Sequence, residues 1–245
     1  MNLDVYSYTN QGGRDHNEDC ADYCMGDERG IFVVADGLGG HQYGELASAC
    51  TVDTFLKAWQ EEAVLEMPKW LSTQFLSANE AILKLAGEHG CTMKSTAVAL
   101  LIEDGTACWA HAGDSRLYYI HDREMKWITA DHSVAYKKYK AGEITREQLR
   151  TDEDQSSLLR TLGGRERSDP ELCEQPVKLE NGDAFLLCSD GAWEYFSDGE
   201  VLIDYLKAET AKEWTELLLK RILSRIVYKK NDNLTILTVM AENGR

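Results

Sequence analysis

Three prolines in 245 residues, and no stretch rich in Ser, Gly and Pro, leave no material for a flexible linker. One domain over 1–245 is the economical reading, since this length supports a sizeable core. Basic residues are also scarce: 26 Lys and Arg against 42 Asp and Glu give a formal charge of −16. Nucleic acid, whose phosphates need basic partners, is thereby disfavoured, as is an anionic membrane surface. No apolar run approaches the roughly 20 residues of a membrane-spanning helix. The N-terminal "MNLDVYSYTNQGGRDHNED" lacks the basic-then-apolar layout of a secretory signal. The seven cysteines (20, 24, 50, 91, 108, 173, 188) are odd in number and contain no C-x-x-C. They predict reduced, mostly buried thiols in a cytoplasmic protein, with no zinc framework.

Familiar catalytic and binding motifs are missing too. "GLGGHQYG" has Gln42 where G-x-G-x-x-G needs its third glycine, and no P-loop lysine follows. "DEDQSS" lacks the glycine and distal glutamate of an EF-hand. The six histidines form no H-E-x-x-H, and no G-x-S-x-G occurs. Ser115 and Ser133 have no recognisable base partner, which argues against a covalent serine mechanism.

What is present is a set of short β-rich segments at 3–9, 30–35, 95–102, 107–112, 116–121, 184–188 and 234–240. "TAVALLIEDGTACWAHAGDSRLYYIHD" predicts two successive hairpins, with turns at Asp104-Gly105 and Gly113-Asp114. Helices are expected over about 44–60, with Leu46, Ala49, Cys50, Asp53 and Leu56 on one face, and over about 68–88. A third is marked by Trp214, Leu218, Ile222 and Ile226, with Leu217 beside them. Strands cluster rather than alternate with helices, so the fold class is α+β, a layered sandwich with a mostly antiparallel sheet. The polar, helix-prone segment 131–157 reads as an inserted surface flap, or more plainly as a solvated helical hairpin.

Three aspartates stand at strand edges. Asp36-Gly37 ends "IFVVA", Asp190-Gly191 ends "FLLCS", and Asp232 precedes "LTILTVM". Antiparallel pairing sets the end of one strand beside the start of the next, so Asp36, Asp190 and Asp232 could share one edge of the sheet. Asp114 at the "HAGDSR" turn could join them. Clustered carboxylates repel unless protonated or bridged by cations. An all-oxygen set, with the Gly37 carbonyl turned toward it, suits Mg²⁺ or Mn²⁺. Arg14 in "RDHNED" could grip two phosphoryl oxygens, while Glu18 and Asp19 could hold metal-bound waters. Any single D-G is more simply a turn, and spacing alone leaves both readings open.

"RDHNED", "VVADGLGGHQYGELAS", "STAVAL", "AHAGDSRLY", "TADHS", "LLRTLGG", "LLCSDGAWE" and "NDNLTIL" occur in an order that resembles the metal-dependent protein phosphatases of type 2C, most nearly their bacterial members. The resemblance runs from Gln11 to Val239. It implies a four-layer α-β-β-α sandwich with a helical flap at 132–157 and a centre of two Mn²⁺ or Mg²⁺ ions. By the same resemblance Asp36 matches the bridging ligand, Gly37 a carbonyl ligand, and Asp190 and Asp232 the remaining carboxylates. Asp19 and Glu18 match a water-mediated shell, Arg14 the phosphate-binding arginine, and Asp114 with Asp190 a weaker third metal site. The implied activity is hydrolysis of phosphoserine and phosphothreonine by a metal-bridging water, with Arg14, Asp36 and Asp190 as the catalytic set. Phosphorylated proteins and a cognate serine/threonine kinase are the implied partners of a monomer. A regulatory pseudophosphatase and a small-metabolite phosphohydrolase are the alternatives. One departure is Leu38, where many eukaryotic members have a histidine proposed as general acid; His41 lies three residues on.

Overall fold

In the computed structural model the described residues are 1–26, 29–38, 43–61, 63–164, 169–227 and 230–242; His41 lies outside them. The chain runs β1 (Asn2–Asn10), β2 (Asp19–Met25), β3 (Gly30–Leu38), α1 (Tyr43–Glu61), α2 (Met67–His89), β4 (Lys94–Ser95), β5 (Ala97–Glu103) and β6 (Thr106–Ala112). It continues through β7 (Arg116–His121), β8 (Glu124–Ile128), α3 (Val134–Ala141), β9 (Glu171–Leu172), β10 (Val177–Lys178) and β11 (Ala184–Cys188). Last come α4 (Asp190–Trp193), α5 (Asp198–Lys207), α6 (Ala211–Arg225) and β12 (Leu234–Glu242). Among the described residues, one sheet has the order β1-β12-β11-β7-β8 and a second the order β10-β6-β5-β3-β2, with β4 on β3 and β9 on β6. Every pairing within them is antiparallel.

Side-chain alternation builds the layers. Leu117, Tyr119, Phe185 and Leu187 point into the core shared with β3, β5, β6, α1 and α2, while Tyr118, Ile120, Leu186 and Cys188 pack under α5 and α6 against Trp193 and Trp214. The result is the expected α-β-β-α sandwich. Local chemistry sets the helix ends. Ser197 and Glu200 form a capping box on α5, and Asp4 from β1 accepts the Ala211 N–H at the start of α6, 2.7 Å.

The expected face of α1 is rotated. Its buried residues are Gly44, Ala47, Ser48, Thr51, Val52, Phe55 and Ala58, while Leu46 is exposed. Ser48 and Thr51 return their hydroxyl hydrogens to the Glu45 and Ala47 carbonyls, so burying them strands no donor.

The first expected hairpin, β5–β6, forms, with Asp104 and Gly105 both at positive φ (49° and 67°). The second does not. β6 and β7 belong to different sheets, and the Gly113-Asp114 turn crosses the sandwich between them. Gly113 has φ 108° and a Cβ there would sit 2.6 Å from the Thr96 side chain, which leaves the position to glycine. The hairpin partner of β7 is β8, through Asp122 and Arg123 at φ 50° and 61°.

In the segment 131–157, helix is confined to α3 and a single 3₁₀ turn at Glu147–Arg150. Among the described residues no helix is long and apolar enough to cross a membrane.

Candidate active site

β2 and β3 pair so that Asp19 lies directly opposite Asp36. From the other sheet, Asp190 follows β11 and Asp232 precedes β12, and these strands are paired neighbours. The Gly113-Asp114 turn brings Asp114 to the same end. The shared edge is therefore built from both sheets, around a cavity of about 730 Å³ whose walls include Arg14, Asp36, Asp114, Asp190 and Asp232. Ser156 and Leu158, at the end of the flap segment, close one side of it.

Asp36 is held through its backbone. Its N–H donates to Thr96 Oγ1 (3.0 Å), and its carbonyl accepts from Thr96 N–H (2.8 Å) and Ser95 Oγ (3.0 Å). Burial, reinforced by Asp190, Asp19, Asp114 and Asp232, lifts its carboxyl far above the usual range. Burial also raises Asp114, with Asp190 and Asp131 adding to it. Burial, with Asp232 next in weight, pushes Asp190 up to about 6. Asp190 accepts a hydrogen bond from the Asp36 carboxyl and one from the Gly191 N–H (2.6 Å).

Asp19 is 8 % exposed. Ser189 Oγ donates to its Oδ2 at 2.7 Å, but Oδ1 is buried without a hydrogen-bond partner. Burial pushes this carboxyl up to about 7. Glu18 lines the cavity as well. Its carboxylate lies against Gly44 and accepts that residue's N–H, at the positive end of α1. Gly37 likewise serves by close approach rather than by an unusual turn: it stays in β3, and a Cβ on it would meet the Gly44 carbonyl oxygen at 2.0 Å.

Arg14 does not stand free. Its Nη2 donates to Asp232 Oδ2 at 2.5 Å, across a largely exposed pair. Asn233 binds the loop carrying Arg14 by donating to the Gln11 and His16 carbonyls and accepting the Glu18 N–H. Ser115 and Ser133 are buried and engaged, the first with Thr96 Oγ1 and the second capping α3, so neither is placed as a nucleophile.

These donors suit a hard divalent cation. Burial, with mutual repulsion added, makes the carboxyls hold their protons, one buried oxygen lacks a partner, and the aspartate donors are all oxygen. No three of the carboxylates have ligand atoms within 4.8 Å of one another; among the described residues that compactness belongs to His111, His132 and Glu171. Hydrogen bonding already occupies this second group. His132 Nδ1 accepts the Gly113 N–H (3.1 Å), so the neutral ring carries its proton on Nε2 and donates it to Glu171 (3.2 Å). His111, stacked on His132 and pushed down to about 4 by burial, donates Nε2–H to the Ala130 carbonyl (2.7 Å). The cluster fixes the turn that carries Asp114.

A sequence profile described as protein phosphatase 2C matches residues 10–223. The chain belongs to this family. It is 30 % identical over 242 residues to the serine/threonine phosphatase stp of Listeria innocua, covering 95 % of this chain and 94 % of that one. The crystal structure of serine/threonine phosphatase Stp1 from Staphylococcus aureus superposes with a TM-score of 0.87 at 28 % identity, over 99 % and 96 % of the two chains. The catalytic domain of the serine/threonine protein phosphatase PstP, in complex with two manganese ions, superposes with a TM-score of 0.84 at 27 % identity, over 98 % and 99 %.

Four contributors escaped the sequence reading. Arg116 is buried, grips Asp131 through Nε and Nη2 (2.7 and 2.6 Å), and stacks 3.5 Å above the Trp193 ring. Trp193 Nε1 in turn donates to the Asp114 carbonyl, 2.9 Å. Glu194 is pushed up to about 7 by burial and by Asp190, and accepts a hydrogen bond from Gln155 of the flap segment. Ser189 orients Asp19. Arg116 and Asp131 sit in "GDSR" and "TADHS", and Ser189 and Glu194 in "CSDGAWE", so the motifs flagged the places while the partners came only with the fold.

Proposed function

We propose that this phosphatase 2C chain is a metal-dependent protein serine/threonine phosphatase with the residue roles that follow. The observation that carries the reading is the convergence of Asp36, Asp114, Asp190 and Asp232 from both sheets, with Asp36, Asp114 and Asp190 holding protons more tightly than free carboxyls do. Asp36, Asp190 and Asp232, with the Gly37 carbonyl, would hold two Mn²⁺ or Mg²⁺ ions, and Asp114 with Asp190 a third. Bound there, the ions supply Lewis acidity that brings water toward a pKa of about 7 and neutralises phosphoryl charge.

The chain's own residues do the rest. Asp19 and Glu18 support the metal-facing edge from behind. Arg14 exchanges Asp232 for the phosphoryl oxygens, offering two parallel N–H donors and stabilising charge as it develops. With no serine placed as nucleophile among Ser115 and Ser133, water attacks phosphorus directly, without a phosphoenzyme. Leu38 lines the cavity and has no proton to give. The whole chain then acts as one catalytic unit with 132–157 as its flap. Phosphoproteins made by a serine/threonine kinase are its substrates, and it works as a monomer. Seven free thiols suit a reducing cytoplasm.

The deciding experiment measures phosphate release from a phosphothreonine peptide by chelator-stripped protein, alone and with Mn²⁺ or Mg²⁺. Release that requires metal and collapses in Asp190→Asn supports the assignment. Folded, metal-loaded protein that leaves the peptide intact refutes it; turnover of sugar phosphates or nucleotides instead would assign a metabolite phosphohydrolase, and none at all a regulatory module.

A further inference from the structure

We propose that Cys108 and Cys173 form a modification site, a thiol pair that hydrogen peroxide joins as an intramolecular disulfide. Cys108 lies in β6. Cys173 directly follows β9, which pairs with β6 through Ala110 and Leu172, and its N–H donates to the Trp109 carbonyl at 2.9 Å. Just past the end of β9, the two sulfurs lie 3.1 Å apart, about 1 Å beyond a disulfide bond length. The residues are 65 positions apart, which is why cysteine spacing alone gave no sign of the pair.

The two thiols are unequal. Cys108 is wholly buried while Cys173 keeps 6 % exposure. The hydrogen bond between them pushes Cys173 down to about 7 and Cys108 up, so the more accessible sulfur is also the better nucleophile at neutral pH. The Cys173 thiolate attacks a peroxide oxygen. The O–O bond breaks, a sulfenic acid forms, and hydroxide leaves to become water with the proton Cys173 had released. The Cys108 sulfur then displaces hydroxide from the sulfenic sulfur, forming S–S and breaking S–O, and its own proton completes the second water. Two thiols and one peroxide give a disulfide and two waters; the sulfurs are oxidised and the peroxide is reduced.

The cross-link would close a loop containing β7, β8 and the flap segment, and would fasten β9, whose Glu171 braces His132. A loop of this length restricts the unfolded chain enough to raise Tm by roughly 5–10 °C. The test treats reduced, full-length protein with hydrogen peroxide and reads intact mass, disulfide-mapped peptides and Tm. Loss of two hydrogens, mapped to Cys108–Cys173, accompanied by a higher Tm and reversed by dithiothreitol, is the expected result. C108S and C173S should each abolish the cross-link, while C20S keeps it. A disulfide mapped to other cysteines, an unchanged mass, or over-oxidation of Cys173 to a sulfinic acid with Cys108 still free would each overturn the proposal.

Discussion

Asp19→Asn removes a charge from a site crowded with carboxylates and preserves the acceptor that Ser189 Oγ–H needs. In the metal-free fold the Asp19 carboxyl is pushed from 3.8 up to about 7. The folded state therefore binds its proton more tightly than the unfolded chain does. The stability this represents is complete below about pH 4 and lost as pH rises toward 7. At about 1.36 kcal/mol per tenfold change in proton affinity, the gap corresponds to roughly 4 kcal/mol at most. Burial is the main cause, with repulsion from Asp190 and Asp232 added and shared with them, so the expected gain for Asp19→Asn at pH 8 is about 2–4 kcal/mol, or roughly 5–15 °C in Tm. Near pH 4 the gain should vanish, because both side chains are then neutral. Calorimetry with excess chelator at pH 4 and pH 8 measures this directly. The same variant should need a higher Mn²⁺ concentration to reach its full thermal shift. Equal destabilisation at both pH values would show that Asp19 serves packing rather than carrying a buried charge, and the electrostatic reasoning would fail.

Arg116→Ala strands Asp131 in the interior and unstacks Trp193, so it should cost about 3–5 kcal/mol; a urea titration checks it, and Arg116→Lys should recover little because the two-pronged grip is lost. Gly37→Ala drives a methyl group into the Gly44 carbonyl at 2.0 Å and should shift the junction of β3 and α1, lowering both Tm and Mn²⁺ affinity by titration calorimetry. Arg14→Ala, at an exposed position, should leave Tm nearly unchanged while kcat/KM on a phosphothreonine peptide falls by about 10- to 100-fold.

Edge aspartates could be read from the chain because each ends or begins an apolar run, and antiparallel pairing then leaves them few other places to be. Asp36, Asp190 and Asp232 follow from that logic, as does the Asp104-Gly105 hairpin. The β6–β7 crossing could not be read: "HAGDSR" looks the same whether the next strand folds back beside β6 or passes to the opposite sheet. β2 was missed because Asp19 and Asp22 break its apolar pattern, although the first of these is what the strand delivers to the site. The face of α1 misled through Ser48 and Thr51, whose hydroxyls bond within their own helix and so tolerate burial. Glu18 is legible as part of the acidic cluster, but its contact with Gly44 is not, since that depends on where α1 begins in space.

The division of the carboxylates between the sheets gives the site a mechanical aspect. Asp19 and Asp36 ride on one sheet, Asp190 and Asp232 flank paired strands of the other, and between the layers lie packed side chains and a few hydrogen bonds such as Ser189 Oγ to Asp19. A cation gripped from both sides would act as a rivet at one end of the sandwich, and its affinity would report how the layers are aligned. A substitution deep between the sheets, far from any ligand, could then be felt at the catalytic edge as a slip of one layer over the other.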